Sequence, residues 1–416
     1  MNNWIQLIKS RQKGLAIFFY LGLQILLVAS KSKPYAYNLS SLIGIWQGFA
    51  EPNASYMQPG FVVLKNGGYD GQFFYLLAKY LYTSDPAPYL DAFFLRFYRI
   101  GLPLLSGLIT SLFGFAYYPI ITLLLLHLVH IASYVVLHKM LPKQYASLSL
   151  FYLFSPFLIN TNLLLVCDAF FTANIIFTLH YLHKGGIDFL RPIPERSLHR
   201  TLPKYRGAGA ILIAVLLCFY LLLIRETAAF IIAPLCLYLL LQKRYAMVGL
   251  FSLPLLAYLV FRISSKHWIQ AESGSNPLSF FQLIDYPFFG LYKSLAASAG
   301  PGWKAIIRKL GKLPIFIYYI FLVIQIFNIR SLRLTISFLP ILCILGVSAI
   351  AEQGYWLSFD NISRMFAFST PVLILLRAQN PNYKTSGIFA WHLVLLLLLG
   401  FRILILKEGM QWYVWK

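Results

Sequence analysis

The stretch Ile100-Gly101-Leu102-Pro103-Leu104-Leu105-Ser106-Gly107-Leu108-Ile109-Thr110-Ser111-Leu112-Phe113-Gly114 decides how this chain is threaded. It is apolar, yet short and interrupted by proline and glycine, whereas a bilayer-crossing helix needs about 20 largely apolar residues. If it spans, the basic segments 139–143 and 184–206 fall outside the membrane. If it lies flat at the outer interface, then the amino terminus, both of those segments, Lys243-Arg244, Arg330/Arg333 and Arg377/Lys384 all fall inside. Positive loops are retained on the cytoplasmic side, so the second threading is the consistent one. It puts the amino terminus in and the carboxyl terminus out.

Composition sets the class. Only 12% of the 416 residues are charged, 59% are hydrophobic and the mean hydropathy is +0.69. A soluble chain carries about a quarter charged residues, and no soluble fold of this size hides so much apolar surface. The 17% aromatic fraction suits a protein with two membrane interfaces. The net charge of +22 sits in short clusters between apolar runs rather than on one basic face, which argues for anchoring and against nucleic acid. Apolar runs at 14–30, 115–138, 145–163, 168–183, 208–224, 227–242, 246–263, 314–329, 334–351, 365–377 and 387–406 predict an all-α polytopic membrane protein of about eleven spans. Residues 1–416 then form a single integral membrane domain.

Two long extracytoplasmic segments follow, 31–114 and 264–313. The second keeps Lys293, Lys304, Arg308, Lys309 and Lys312 outside, against the charge rule; a further span near 279–300 is the alternative. Lys9, Arg11 and Lys13 precede an apolar stretch ending in Val28-Ala29-Ser30, a pattern that also fits a cleaved signal peptide. An uncleaved first span is expected, because many spans follow. Cys167, Cys218, Cys236 and Cys343 form no CxxC and read as apolar fillers.

The residues that could do chemistry concentrate in the first loop, at Gly67-Gly68-Tyr69-Asp70-Gly71-Gln72-Phe73-Phe74-Tyr75, followed by Asp85, Asp91 and Arg96-Phe97-Tyr98-Arg99. Glycines on both sides of Asp70 permit a sharp turn and close approach of a large ligand. Residues 72–82 carry the pattern of a short interfacial helix. Asp70 would stand at its N-cap, where capping is the plain role; a general base is the sharper one. Asp168 lies at the outer start of a span, where a carboxylate is costly and a pairing with Arg225 is conceivable. Glu226 could pair locally. Asp360 and Arg364 suggest an ion pair closing a further outer loop. His127 and His130 share one helix face at i, i+3, but no third metal ligand is near in sequence, so packed polar residues are expected. His138, His180 and His183 fall at span ends, and His267 lies in the second outer loop. Asn38, Asn53 and Asn361 begin sequons on the outer side, which matter only in a secretory setting.

A first span, then an outer loop with the Tyr69-Asp70-Gly71-Gln72-Phe73 motif, then Arg96…Arg99-Ile100…Pro103-Leu104-Leu105, resembles the GT-C class of membrane glycosyltransferases. The nearest resemblance is to PIG-V-like and protein O-mannosyltransferase-like proteins. Ser155-Pro156 through Asp168-Ala169-Phe170-Phe171 is similar to the passage opening that class's fourth span, and Ile224-Arg225-Glu226-Thr227 to the polar turn after its fifth. The likeness covers roughly the first 245 residues. It implies an inverting hexosyltransferase, with mannose one candidate sugar, that uses a polyprenyl-phosphate-linked donor and a glycan, lipid or protein acceptor on the extracytoplasmic side. A bacterial inner membrane fits better than the endoplasmic reticulum.

In that reading Asp70 is the base, and Tyr69, Gln72, Asp91, Arg96, Arg99, Asp168, Arg225, Glu226 and Arg364 are candidate substrate-binding residues. The four arginines would stabilise a departing phosphate, anchoring at lipid headgroups being the plainer reading. The class often has a second acidic residue after its first-loop aspartate, and Asp85 and Asp91 compete for that place. Some members use a divalent metal; none is expected here. A pocket of about 300–1,000 Å³ beside Asp70, opening sideways to lipid, would be the most informative structural observation for this reading. The competing function is a transporter or flippase of a lipid-linked or anionic solute, which would need polar residues at mid-bilayer and repeated halves. A non-catalytic membrane scaffold is the remaining possibility, and it would give the GGYDGQ segment no purpose.

Overall fold

The computed structural model describes residues 2–189, 207–269, 284–297, 302–327, 332–379, 385–406 and 408–416. Ser197, Arg330, Lys384 and most of segments 184–206 and 264–283 lie outside the described residues. The protein is built from apolar helices. Four of those described are long and apolar enough to cross a membrane: Gln12–Tyr35, Phe115–Met140, Tyr245–His267 and Ser386–Leu406. Five more, Gly101–Phe113, Ala208–Ile224, Glu226–Leu241, Leu313–Phe327 and Ile336–Ile350, are apolar but shorter. Their outward faces carry bare leucines such as Leu128, Leu216 and Leu397, a surface that water would not tolerate in contiguous patches and that lipid covers without cost.

This is not a stack of eleven full-length spans. The run 145–163 breaks into a 3-10 turn at Lys143–Leu148 and helices Ser149–Leu153 and Pro156–Asn162. Pro156 ends one helix by restricting Ser155 to extended backbone, where it adopts ψ 122°. The run 365–377 holds one short helix, Ser369–Gln379, which follows the helix Phe359–Met365 after a break. The helix Asp168–Lys184 is buried along most of its length, so it is surrounded by protein and needs no lipid-facing stripe. Hydropathy alone does not show that such a segment is enclosed by other helices.

The decisive stretch forms a separate helix, Gly101–Phe113. Thirteen residues at 1.5 Å each reach about 20 Å, short of the roughly 30 Å hydrocarbon core. It buries Leu102, Pro103, Ser106, Gly107 and Thr110 and leaves Leu104, Leu108, Leu112 and Phe113 bare. Gly107 lets it press against the helix Gly71–Tyr82: a Cβ there would meet the Ala78 carbonyl oxygen at 2.8 Å. The Gly71–Tyr82 helix is buried over its first nine residues, so it is a packed element of the protein and not the amphipathic surface helix its sequence suggests.

A small sheet also forms within the all-α architecture. Strand β1, Ile45–Trp46, runs parallel to β2, Val62–Leu64, and β3, Trp412–Val414, pairs antiparallel to β2 with Val63 opposite Tyr413. The carboxyl-terminal segment is thereby fastened to the loop that carries Asp70.

Candidate functional site

Asp70 occupies the N-cap of the Gly71–Tyr82 helix but its side chain caps nothing. It reaches sideways into a cluster of guanidinium groups. Arg96 Nη1 donates to Asp70 Oδ1 at 3.3 Å, and Arg364 Nη1 donates to Asp70 Oδ2 at 2.6 Å. The glycines around it serve the protein's own backbone. Gly67 adopts φ +94°, and a Cβ on Gly71 would meet the carbonyl oxygens of Ile43 and Leu164 at 2.6 and 2.7 Å. The close approach expected of a ligand is made instead by two chain segments wedging the helix start into place.

The cluster continues in both directions. Arg96, on the short helix Phe93–Phe97, also donates to Asp91 from Nε and Nη2 at 3.3 and 3.1 Å, and its guanidinium lies 4.0 Å from the Phe73 ring centre. Arg364 Nε donates to Asp168 Oδ2 at 2.8 Å, so one guanidinium joins Asp70 to Asp168. Asp168 starts its helix with a wholly buried side chain, and its other oxygen accepts from Arg225 Nη1. The conceivable Asp168–Arg225 pair is therefore formed. Nearby, Arg99 Nε donates to Glu226 Oε2 at 2.8 Å and Nη2 holds Oε1. Four guanidinium groups thus meet four carboxylates, Asp70, Asp91, Asp168 and Glu226, with no net formal charge. Arg225 Nε is buried and finds no acceptor.

Burial alone would raise the pKa of Asp70, because it disfavours the charged carboxylate. The charges of Arg364 and Arg96 outweigh it and hold the carboxyl well below the usual carboxylate range. A narrow cleft opens beside it, lined by Asp70, Phe73, Phe74, Leu77, Arg96 and Arg99, with only about 10 Å³ of free volume. That is room for about one water, far below the volume that holds a drug-sized ligand. The apolar lining lies at i+3, i+4 and i+7 from Asp70, one helix face, so the sequence contained the signal for it.

Two expectations are corrected. Asp360 and Arg364, four residues apart, do not pair with each other. Asp360 takes the bidentate fork of Arg402, at 2.8 and 2.5 Å, which leaves Arg364 to Asp70 and Asp168. Glu226 pairs with Arg99, 127 positions away, and not locally. Tyr69 and Gln72 direct their polar atoms away from the cleft: Tyr69 Oη donates to the Ser41 carbonyl at 2.7 Å, and Gln72 Oε1 accepts from Trp46 N–H at 2.9 Å. Both pin the loop. Lys31, which sequence reading passed over, donates to the Leu163 carbonyl at 2.6 Å and lies 5.1 Å from the Tyr69 ring centre.

His127 and His130 are packed inside the bundle. Tyr20 Oη is 3.0 Å from His127 Nδ1, and His130 stacks between Tyr20 and Tyr152. His138 contacts Ser149 and His183 contacts Asp188, and His267 is exposed at the end of its helix. Among the described residues no three His, Cys, Asp or Glu side chains group as a metal-binding set.

No protein-family model matches this chain, and neither a curated protein nor a solved structure matches it.

Proposed function

We propose that the chain is a membrane glycosyltransferase of GT-C type, moving a hexose from a polyprenyl-phosphate carrier to an acceptor hydroxyl on the extracytoplasmic side. In this reading the amino terminus is cytoplasmic and the membrane is a bacterial inner membrane. The observation that carries it is the make-up of the Asp70 cleft. An apolar wall of Phe73, Phe74 and Leu77, the arginines Arg96 and Arg99, and the carboxylate-bearing Asp70 line one cleft. That combination matches an amphiphile with an anionic head lying next to a group that must lose a proton.

The chemistry follows. The acceptor oxygen attacks the anomeric carbon while Asp70 takes its proton. The bond from that carbon to the phosphate oxygen breaks, the electron pair leaves on the phosphate, and the configuration inverts. Arg96 and Arg364 hold the departing charge, which arginine does well through its planar fork. Asp168 and Glu226 act at one remove, by orienting Arg225, Arg364 and Arg99. Neither a metal nor a further cofactor is required by this scheme.

A second reading, a transporter or flippase of an anionic solute, draws on the buried polar string of Tyr20, His127, His130 and Asn162. Purified protein offered a panel of polyprenyl-phosphate sugars separates the two. Formation of glycosylated product supports the transferase; movement of label across a vesicle membrane without transfer from any donor replaces it with the transporter.

A further inference from the structure

Asp70 is not ready to act as it stands. Arg96 holds one of its oxygens and Arg364 the other. A carboxylate so engaged directs little of its lone-pair density at an acceptor hydroxyl. Both forks are already engaged by carboxylates, since Arg96 is shared with Asp91 and Arg364 with Asp168. The cleft beside them is nearly filled.

Among the carboxylates on Arg364, Asp70 is the one placed to leave. Asp168 is wholly buried, is held on its other oxygen by Arg225, and begins a buried helix, whereas Asp70 retains 25% side-chain exposure and lines the cleft. Removing any one anion would leave a buried guanidinium unbalanced, which is costly. An anion arriving as Asp70 departs avoids that cost. An incoming phosphate supplies the negative charge that Arg96 and Arg364 lose when Asp70 turns away, and Arg225 Nε is buried without an acceptor.

We propose that the phosphate head of the lipid ligand enters by ion exchange, taking Arg96 and Arg364 from Asp70 and turning that carboxylate into the cleft. Asp70 is thus a resident anion that keeps the site shut until a phosphate replaces it, and only then a base. The inference rests on the lipid-phosphate reading above and adds the order of events: phosphate first, free carboxylate second. It also accounts for the small cleft, because the volume appears only as Asp70 moves.

The test is the affinity of detergent-purified full-length protein for farnesyl phosphate, with farnesol as the headless control. Exchange predicts that Asp70→Asn, which removes the competing charge, tightens binding at least about fivefold, the lower end of ordinary coupling between two ligands. Asp91→Asn, at a more exposed site, tightens it in the same direction but less. Arg364→Gln weakens it, Glu408→Gln, at an exposed carboxylate paired with Lys304 outside the cluster, leaves it unchanged, and farnesol distinguishes none of the variants. Equal affinity in wild type, Asp70→Asn and Asp91→Asn overturns the exchange and leaves the transferase reading standing. If farnesyl phosphate binds no better than farnesol to any of them, the lipid-phosphate reading falls and the exchange with it. Should Asp70→Asn fail to fold, Asp91→Asn decides alone, tightening for the exchange and no change against it.

Discussion

Arg364 Nη1 donates to Asp70 Oδ2 at 2.6 Å, joining side chains 294 positions apart in sequence. Through its Nε the same guanidinium holds Asp168. The first loop and the helix bearing Asp168 are therefore locked together by a residue from the last quarter of the chain.

Replacing Arg364 with Gln leaves two carboxylates, one of them fully buried, without their shared cation. Breaking a buried ion pair from one side costs about 3–5 kcal/mol. Thermal unfolding in detergent should show a large loss for Arg364→Gln and a partial recovery for Arg364→Lys, which restores charge but not the fork. A loss no greater than that of an exposed-site variant would contradict the bridging role.

Gly71→Ala should be severe for a small change. The added methyl meets two backbone carbonyl oxygens at 2.6 and 2.7 Å, and neither can move like a side chain. Overpacking of this kind costs about 1–3 kcal/mol, and here it also displaces Asp70. Both unfolding temperature and transfer rate should drop, whereas Gly346→Ala, within the helix Leu332–Ile350 and with open space around it, should be mild. Equal behaviour of the two would refute the wedge.

Much of this was legible in the sequence, and the rest was hidden for a physical reason. The apolar runs fix membrane residence because solvent leaves no other solution. The GGYDGQ motif marks the loop whose Asp70 enters the arginine–carboxylate cluster, and Asp168 is conspicuous because a carboxylate beside apolar sequence needs a partner. What stays invisible is which partner. Arg364 with Asp70, Arg99 with Glu226 and Arg402 with Asp360 are choices made by packing across 294, 127 and 42 positions, and no local pattern encodes them. The strand pairing of Val63 with Tyr413 is equally non-local. Conversely, the runs 145–163 and 365–377 look like spans because hydropathy does not register a proline break or burial within protein.

Acid should act late on the resting protein. Burial works against the charged forms of Asp70 and Asp360, but Arg364 and Arg96 for the first, and Arg402 for the second, hold both below the ordinary carboxylate range. Groups depressed in the folded state stabilise it above their unfolded value of about 3.9 and lose that contribution as pH falls through the folded value. These two groups should therefore leave the unfolding temperature level from about pH 8 to 5 and contribute to a fall only below about pH 4. Exchange adds a kinetic signature. Once phosphate has taken its arginines, Asp70 is more basic, so the acid limb of kcat should lie at higher pH than that of kcat/KM. Coincident limbs would contradict this.

Threading is open to direct labelling. In a cysteine-free background, a cysteine at Asn66 should react with a membrane-impermeant maleimide added to intact cells. One at Gln144, in the basic segment after the Phe115–Met140 helix, should react only after permeabilisation. Reaction of Gln144→Cys in intact cells would reverse the orientation and move the cleft to the cytoplasmic face.

The central claim is that Asp70 takes the acceptor proton during sugar transfer from a lipid phosphate. The most direct measurement is the single-turnover transfer rate of Asp70→Asn against wild type, at saturating donor so that any gain in affinity is removed. Loss of a general base lowers the rate by about 10²–10⁴-fold, with donor still bound. Transfer by Asp70→Asn within a fewfold of wild type would contradict the account.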